Sequence, residues 1–188
     1  MDKKNELLAA AREVFAEKGY KAAGISDIAK RSQMAVGSFY KYYESKEAIF
    51  LEVYIAENSR IREETMRRVN WLGEPEAIVE QLFAVTFELI SPNKILAEWN
   101  KPGISQILHD YYNQDSGRAS NAFHQFLIRT FSQRLQEEGF SKEKIAEIMK
   151  VYDLIYYIDM HVTEQEFSGY FDSLETLVKY FVKGIFSK

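Results

Sequence analysis

The apolar residues of this chain recur every three or four positions almost from end to end, and nowhere do they alternate over a useful length. That period predicts helices and no strands. Leu7, Leu8, Ala11, Val14 and Phe15 share one face of a first helix, which Gly19 closes. A short second helix carries Ile25, Ile28 and Ala29, and a third short one runs from Val36 to about Tyr43. Ser45 is a good N-cap for a fourth, whose apolar positions Ile49, Val53, Ala56 and Ile61 carry it to about Val69. At ~1.5 Å per residue that helix is a strut on the order of 36 Å long.

The stretch "WLGEPEAIV" interrupts the pattern: Gly73 closes one helix and Pro75 suits the first turn of the next. That fifth helix carries Ile78, Leu82, Val85 and Leu89. Further helices are predicted at 95–99, 104–112, 118–138, 142–162 with Ser141 as cap, and 171–186. The predicted fold class is therefore all-α: three short helices, a long one and a larger bundle.

Composition narrows the chemistry. Hydrophobic residues make up 46% of 188, enough for one sizeable core or two small ones. Cysteine is absent, which excludes disulfides, thiolate nucleophiles and thiolate metal sites. The three histidines, His109, His124 and His161, lack ligand spacing, so no metal and no cofactor is expected. No serine lies in a nucleophile-elbow context and no glycine loop is built to cradle phosphate, so an enzyme is not expected. With no apolar run of membrane-spanning length and no signal-type N-terminus, the expected location is the cytoplasm, with no membrane partner. The net charge of −4 hides an asymmetry: residues 1–47 carry a surplus of two positive charges, the remainder a deficit of six. A DNA-facing N-terminal end is permitted by this, not required.

Residues Ile25 to Tyr42 read as two helices and a turn, with Ile28, Met34 and Phe39 filling the wedge and Ala29 small at the closest approach. That is a helix-turn-helix, whose second helix enters a major groove. Its leading turn, "AVGS", is nearly bare, so backbone can approach bases and phosphates. Phe39 points inward, while Tyr40 and Tyr42 can reach phosphate oxygens.

The string "AREVFAEKGYKAAGISDIAKRSQMAVGSFYKYYESKEAIFLEVY" resembles the N-terminal domain of the tetracycline-repressor (TetR) family of transcriptional regulators. The matching elements are Phe15, Gly19 and Tyr20; Asp27 to Ala29; Val36 to Tyr40; Ser45 to Glu47; and Leu51. The resemblance implies a helix-turn-helix DNA-binding domain over 1–46 and a helical ligand-binding and dimerisation domain over 47–188. It implies DNA contacts from Ser26, from Ala35, Val36, Gly37 and Ser38 leading the recognition helix, from Tyr40 and Tyr42, and from Lys46; Lys41 is a further candidate. Three departures modify it. Ala23 and Gly24 stand where the family carries a capping hydroxyl, and Gln33 replaces the turn glycine. The first turn of the recognition helix has no Arg, Asn or Gln for bidentate base contacts, so modest specificity is expected.

Further along, "IAEIMKVYDLIYYIDMHV" is apolar on nearly every side, and the last helix has a widened apolar face of Leu174, Leu177, Phe181 and Ile185 with Phe171, Val178 and Val182. A helix apolar all round must be covered all round. The helices at 142–162 and 171–186 are therefore expected to pair with their symmetry mates in a four-helix dimer bundle, as the resemblance also implies. Phe83, Phe87, Trp99, His109, Tyr112, Phe123, Phe126, Tyr152 and Tyr156 come from helices that surround a ligand cavity in the family; the same rings serve equally as plain core. Asp153 and Asp159, inside an apolar helix, need partners: histidine or tyrosine, or for one of them a cationic ligand. The arginines Arg60, Arg62, Arg67 and Arg68, interleaved with Glu57, Glu63 and Glu64, read as a solvated face. The expected function is a repressor of a palindromic operator, homodimeric, released by a small, largely apolar effector. A helical enzyme and a protein-only interaction module are the alternatives.

Overall fold

The structure is a computed structural model that describes residues 2–101, 103–113, 121–164 and 166–187. Among these residues it contains helices and turns and no strand, as the period predicts. The chain forms two compact units, the first from 1–64 and 87–110, the second from 65–86 and 111–188.

The first unit begins with α1 (Lys3–Ala22), capped by the Asp2 carboxylate, which accepts the Lys4 N–H at 3.1 Å. Its backbone breaks at Gly19 (φ 75°, ψ 170°), a conformation open in practice only to glycine, and one last turn follows. Next come α2 (Ile25–Arg31), α3 (Val36–Phe39) and α4 (Lys46–Arg68). Leu7, Ala11, Val14 and Phe15 of α1 meet Ile28, Phe39, Ile49 and Phe50 in a core with almost no exposure. Phe50 is edge-on to Phe15 at 4.9 Å and to Tyr20 at 4.8 Å, a favoured aromatic geometry. The Ser45 hydroxyl caps α4 by accepting the Ala48 N–H at 3.2 Å.

Two expectations are corrected here. The third helix ends at Phe39 rather than near Tyr43, and Tyr40 to Tyr42 lie in turns closed by bonds such as Tyr42 N–H to the Phe39 carbonyl at 2.9 Å. In α4 the buried stripe runs Phe50, Val53, Tyr54, Glu57, Ile61 and Thr65, so Ala56 is exposed and Glu57, read as solvated, is 3% exposed. The helical period selects position 57 whatever its charge. The segment after α5 (Pro75–Ile90) returns to this unit through a 3₁₀ turn (Leu96–Asn100) and the start of α6 (Ser105–Asn113).

The second unit contains α7 (Ala122–Glu137), α8 (Lys142–His161) and α9 (Tyr170–Phe186). The predicted helix start at 118 lies outside the described residues. Ser141 caps α8, accepting the Lys144 N–H at 3.2 Å. Phe131 of α7 packs between Tyr152 of α8 (6.1 Å) and Phe181 and Phe186 of α9 (6.1 and 6.3 Å). Lys179 of α9 pairs with Glu80 of α5. Asp153 and Asp159 are exposed rather than enclosed, and Asp159 accepts the Tyr170 hydroxyl at 3.3 Å. No helix among the described residues is long and apolar enough to cross a membrane.

Candidate nucleic-acid interface

The helix-turn-helix starts without a side-chain cap. Gly24 takes the N-cap position of α2, and the Asp27 carboxylate reaches back to accept its N–H at 3.0 Å, while Lys18 pairs with that carboxylate at 2.8 Å. Arg31 fixes α2 to α1 through Glu13 and Glu17, each at 2.8 Å. Gln33 in the turn has φ 56°, the only positive φ at a non-glycine position among the described residues. A side chain there costs on the order of 1 kcal/mol. Gln33→Gly is expected to raise stability by about 0.5 kcal/mol once glycine's greater unfolded-state freedom is subtracted; a thermal melt that shows no gain refutes the strain.

Beyond the turn, Ile28, Ala29 and Phe39 are buried and hold α3 in place, while Met34 is half-buried. Of the residues the sequence assigns to DNA, all but Lys46 then face outward. Ser26, Ala35, Val36, Gly37, Tyr40, Lys41 and Tyr42 are exposed and Ser38 is partly so, with Val36 at 45% and Tyr40 at 56%. A methyl group built on Gly37 meets no atom of the chain, and its φ is not positive, so neither packing nor backbone geometry demands glycine there. Tyr43, by contrast, is buried: its hydroxyl donates to Glu52 at 2.8 Å, and the Lys4 ammonium lies 5.2 Å over its ring.

Lys46 is less free than its assignment implies. Its ammonium donates to the carbonyls of Tyr20 and Ala23, both at 3.0 Å, and sits 4.2 Å over the Tyr20 ring. Two of its three N–H donors are used in closing the end of α1, which leaves one for an anion. The Tyr20 hydroxyl donates to Glu47 at 2.5 Å, and burial together with that bond pushes its pKa up. The same bond holds the Glu47 carboxyl below its ordinary value. Sequence reasoning gave Tyr20 only as a motif residue; its place under Lys46 depends on three separate segments.

Residues 7–53 match the family model described as bacterial regulatory proteins, tetR family. Over that segment the chain resembles the tetR family. It is 32% identical over 102 residues to the uncharacterized HTH-type transcriptional regulator YdgC of Bacillus subtilis, covering 52% of each chain. It is 34% identical over 64 residues to the HTH-type transcriptional regulator QacR of Staphylococcus aureus, covering 34% of each. The chain thus spans about half or less of the length of these curated relatives. Over nearly its whole length it shares the fold of a TetR-family regulator from Mesorhizobium loti (TM-score 0.56, 20% identity, 97% and 94% of the two chains). The same holds for a TetR variant from Acinetobacter baumannii in complex with minocycline (TM-score 0.52, 13% identity, 98% and 96%). The curated relatives named here are transcriptional regulators.

The nine aromatic positions that the sequence offers for a ligand cavity fall in both units. In the first, Phe87 is exposed, and Trp99 lies on His109 at 4.2 Å and stacks with Tyr54 at 6.2 Å. His109 Nε2 is buried with no hydrogen-bond partner among the described residues. In the second, Phe83 is edge-on to Phe171, Phe126 to Trp71, and Tyr112 to Tyr111, while Phe123 is buried. His124, which the sequence reading set aside, stacks on Tyr156 at 3.8 Å and takes the Tyr152 hydroxyl at 3.1 Å. An open recess of about 270 Å³ between α8 and α9 is lined by Phe140, Lys144, Glu147, Ile148, Val151, Phe181, Gly184 and Ile185, none of them among the nine.

Proposed function

We propose that this protein is a ligand-responsive DNA-binding transcriptional regulator. As a homodimer it represses by gripping a palindromic operator, and it lets go when a small, largely apolar effector binds. The reading rests on one observation above all: the leading turn of α3 is bare and outward, and its glycine serves no purpose inside the chain. Backbone brought close to a duplex, flanked by tyrosine hydroxyls and one lysine, accounts for that arrangement through phosphate contacts and shape. With no bidentate base reader in the turn, most of the affinity comes from the DNA backbone.

The experiment is a gel shift with a duplex enriched by the wild-type chain from a random pool. Gly37→Glu, whose side chain has open space to occupy, is expected to keep the wild-type melting temperature and to abolish retardation. Tyr40→Ala is expected to weaken binding about fivefold and uniformly across sequences. Undiminished binding by Gly37→Glu removes the proposal. Effector binding is supported by His109 Nε2, which lies against the Trp99 ring and has no hydrogen-bond partner among the described residues, since a buried polar group without a partner is costly and a ligand can supply one.

A further inference from the structure

A second acidic residue is buried where no packing argument calls for one. Glu98, in the 3₁₀ turn Leu96–Asn100, is 4% exposed, and its Oε1 accepts the backbone N–H of Tyr20 at 3.3 Å and a bond from the Lys101 ammonium at 3.1 Å. Tyr20 is the residue after the Gly19 break in α1. Its carbonyl, a few bonds from that N–H, is one of the two that hold the Lys46 ammonium. A methyl group built on Gly19 comes within 3.6 Å of the same Glu98 oxygen, so the carboxylate lies directly against the break. Beside it, Lys94 donates to the Glu17 carbonyl at 2.6 Å. The segment 94–98 therefore holds the end of α1, as Lys46 does.

We infer that Glu98 is a positioning residue for DNA binding: by fixing the Tyr20 peptide it sets where the remaining N–H of Lys46 points. This rests on the reading of Lys46 as a phosphate contact. A buried carboxylate costs desolvation energy that a neutral residue avoids, and its bonds to a backbone N–H and a half-exposed lysine offset that cost only in part. What the carboxylate adds is a rigid anchor at a point where the helix backbone has broken.

The full-length chain is titrated with the enriched duplex over a range of salt, because each phosphate contact contributes about one unit to the slope of log affinity against log salt. Glu98→Ala is expected to lower that slope by about one per protomer, as Lys46→Ala does, with no further fall in the double variant. Glu98→Gln keeps an acceptor for the Tyr20 N–H and restores the wild-type slope. Glu98→Asp, one methylene short of that N–H, behaves as the alanine variant and decides the matter if Glu98→Ala fails to fold. A fall in melting temperature with an unchanged slope in both Glu98→Ala and Glu98→Asp overturns the inference while leaving Lys46 in place. An unchanged slope in Lys46→Ala removes the phosphate contact itself.

Discussion

Replacing Leu154 with lysine is expected to turn the proposed dimer into a folded monomer and to cost at least about a hundredfold in DNA affinity. Leu154 is 58% exposed on α8, in line with Val151 at 41% and Tyr157 at 54%; on α9, Leu177 at 44% and Tyr180 at 68% face solvent as well. Positions 151, 154 and 157–158 make one helical stripe, as do 177, 180 and 184. A leucine moved from water into an interface contributes about 1.5–3 kcal/mol. Two copies of such a stripe meeting across a two-fold axis multiply that gain. Because Leu154 touches little of its own chain, lysine there leaves the protomer's melting curve nearly unchanged but places a charge at the proposed seam. The loss on DNA follows from avidity: two linked reading heads bind about 10²–10⁴ times more tightly than one. Light scattering on the eluting peak and a gel shift check both parts. A Leu154→Lys variant that stays dimeric, or a wild type that is monomeric at micromolar concentration, refutes the arrangement.

Much of this molecule was legible because helices announce themselves by period and by caps. Ser45, Pro75 and Ser141 mark the starts of α4, α5 and α8, and the wedge of Ile28, Met34 and Phe39 with the small Ala29 identifies the helix-turn-helix. What escaped the sequence was mostly polar. Glu57 was placed outside because it is charged, although positions 50, 54, 57, 61 and 65 share the buried stripe. Glu98 carries no local pattern at all: its partner Tyr20 is 78 residues away, and the bond is to a backbone group that every residue type presents. Lys46 was assigned outward on its motif, yet its ammonium also closes α1, a tie that depends on where the chain turns after Gly19. Hydrophobic periodicity reports which face is inside. It does not report which polar groups are taken inside with it.

The largest stability effect is expected at Glu57. Its Oε1 accepts from Arg60 at 2.7 Å and Asn93 at 2.8 Å, and its Oε2 accepts from Arg12 at 2.8 Å, so one carboxylate ties α1, α4 and the segment after α5 together. Burial pushes its pKa up, but the bonds from Arg60, Arg12 and Asn93 outweigh burial and hold it at about 2, below the ordinary 4.5. The folded value is the lower one, so the stabilisation is complete above pH 4.5 and is lost as the pH falls from there toward 2. A shift of that size corresponds to something on the order of 3 kcal/mol. Glu57→Gln is therefore expected to destabilise the first unit by about 2–3 kcal/mol at pH 7, somewhat less than a fully enclosed pair, because Arg12 and Arg60 can turn toward water. Toward pH 2 the wild type and the variant converge, since the wild-type carboxyl is then protonated as well. Urea melts at pH 7 and near pH 2 measure both ends. A variant whose deficit is the same at both pH values shows that the carboxylate's charge plays no part in holding α1 to α4.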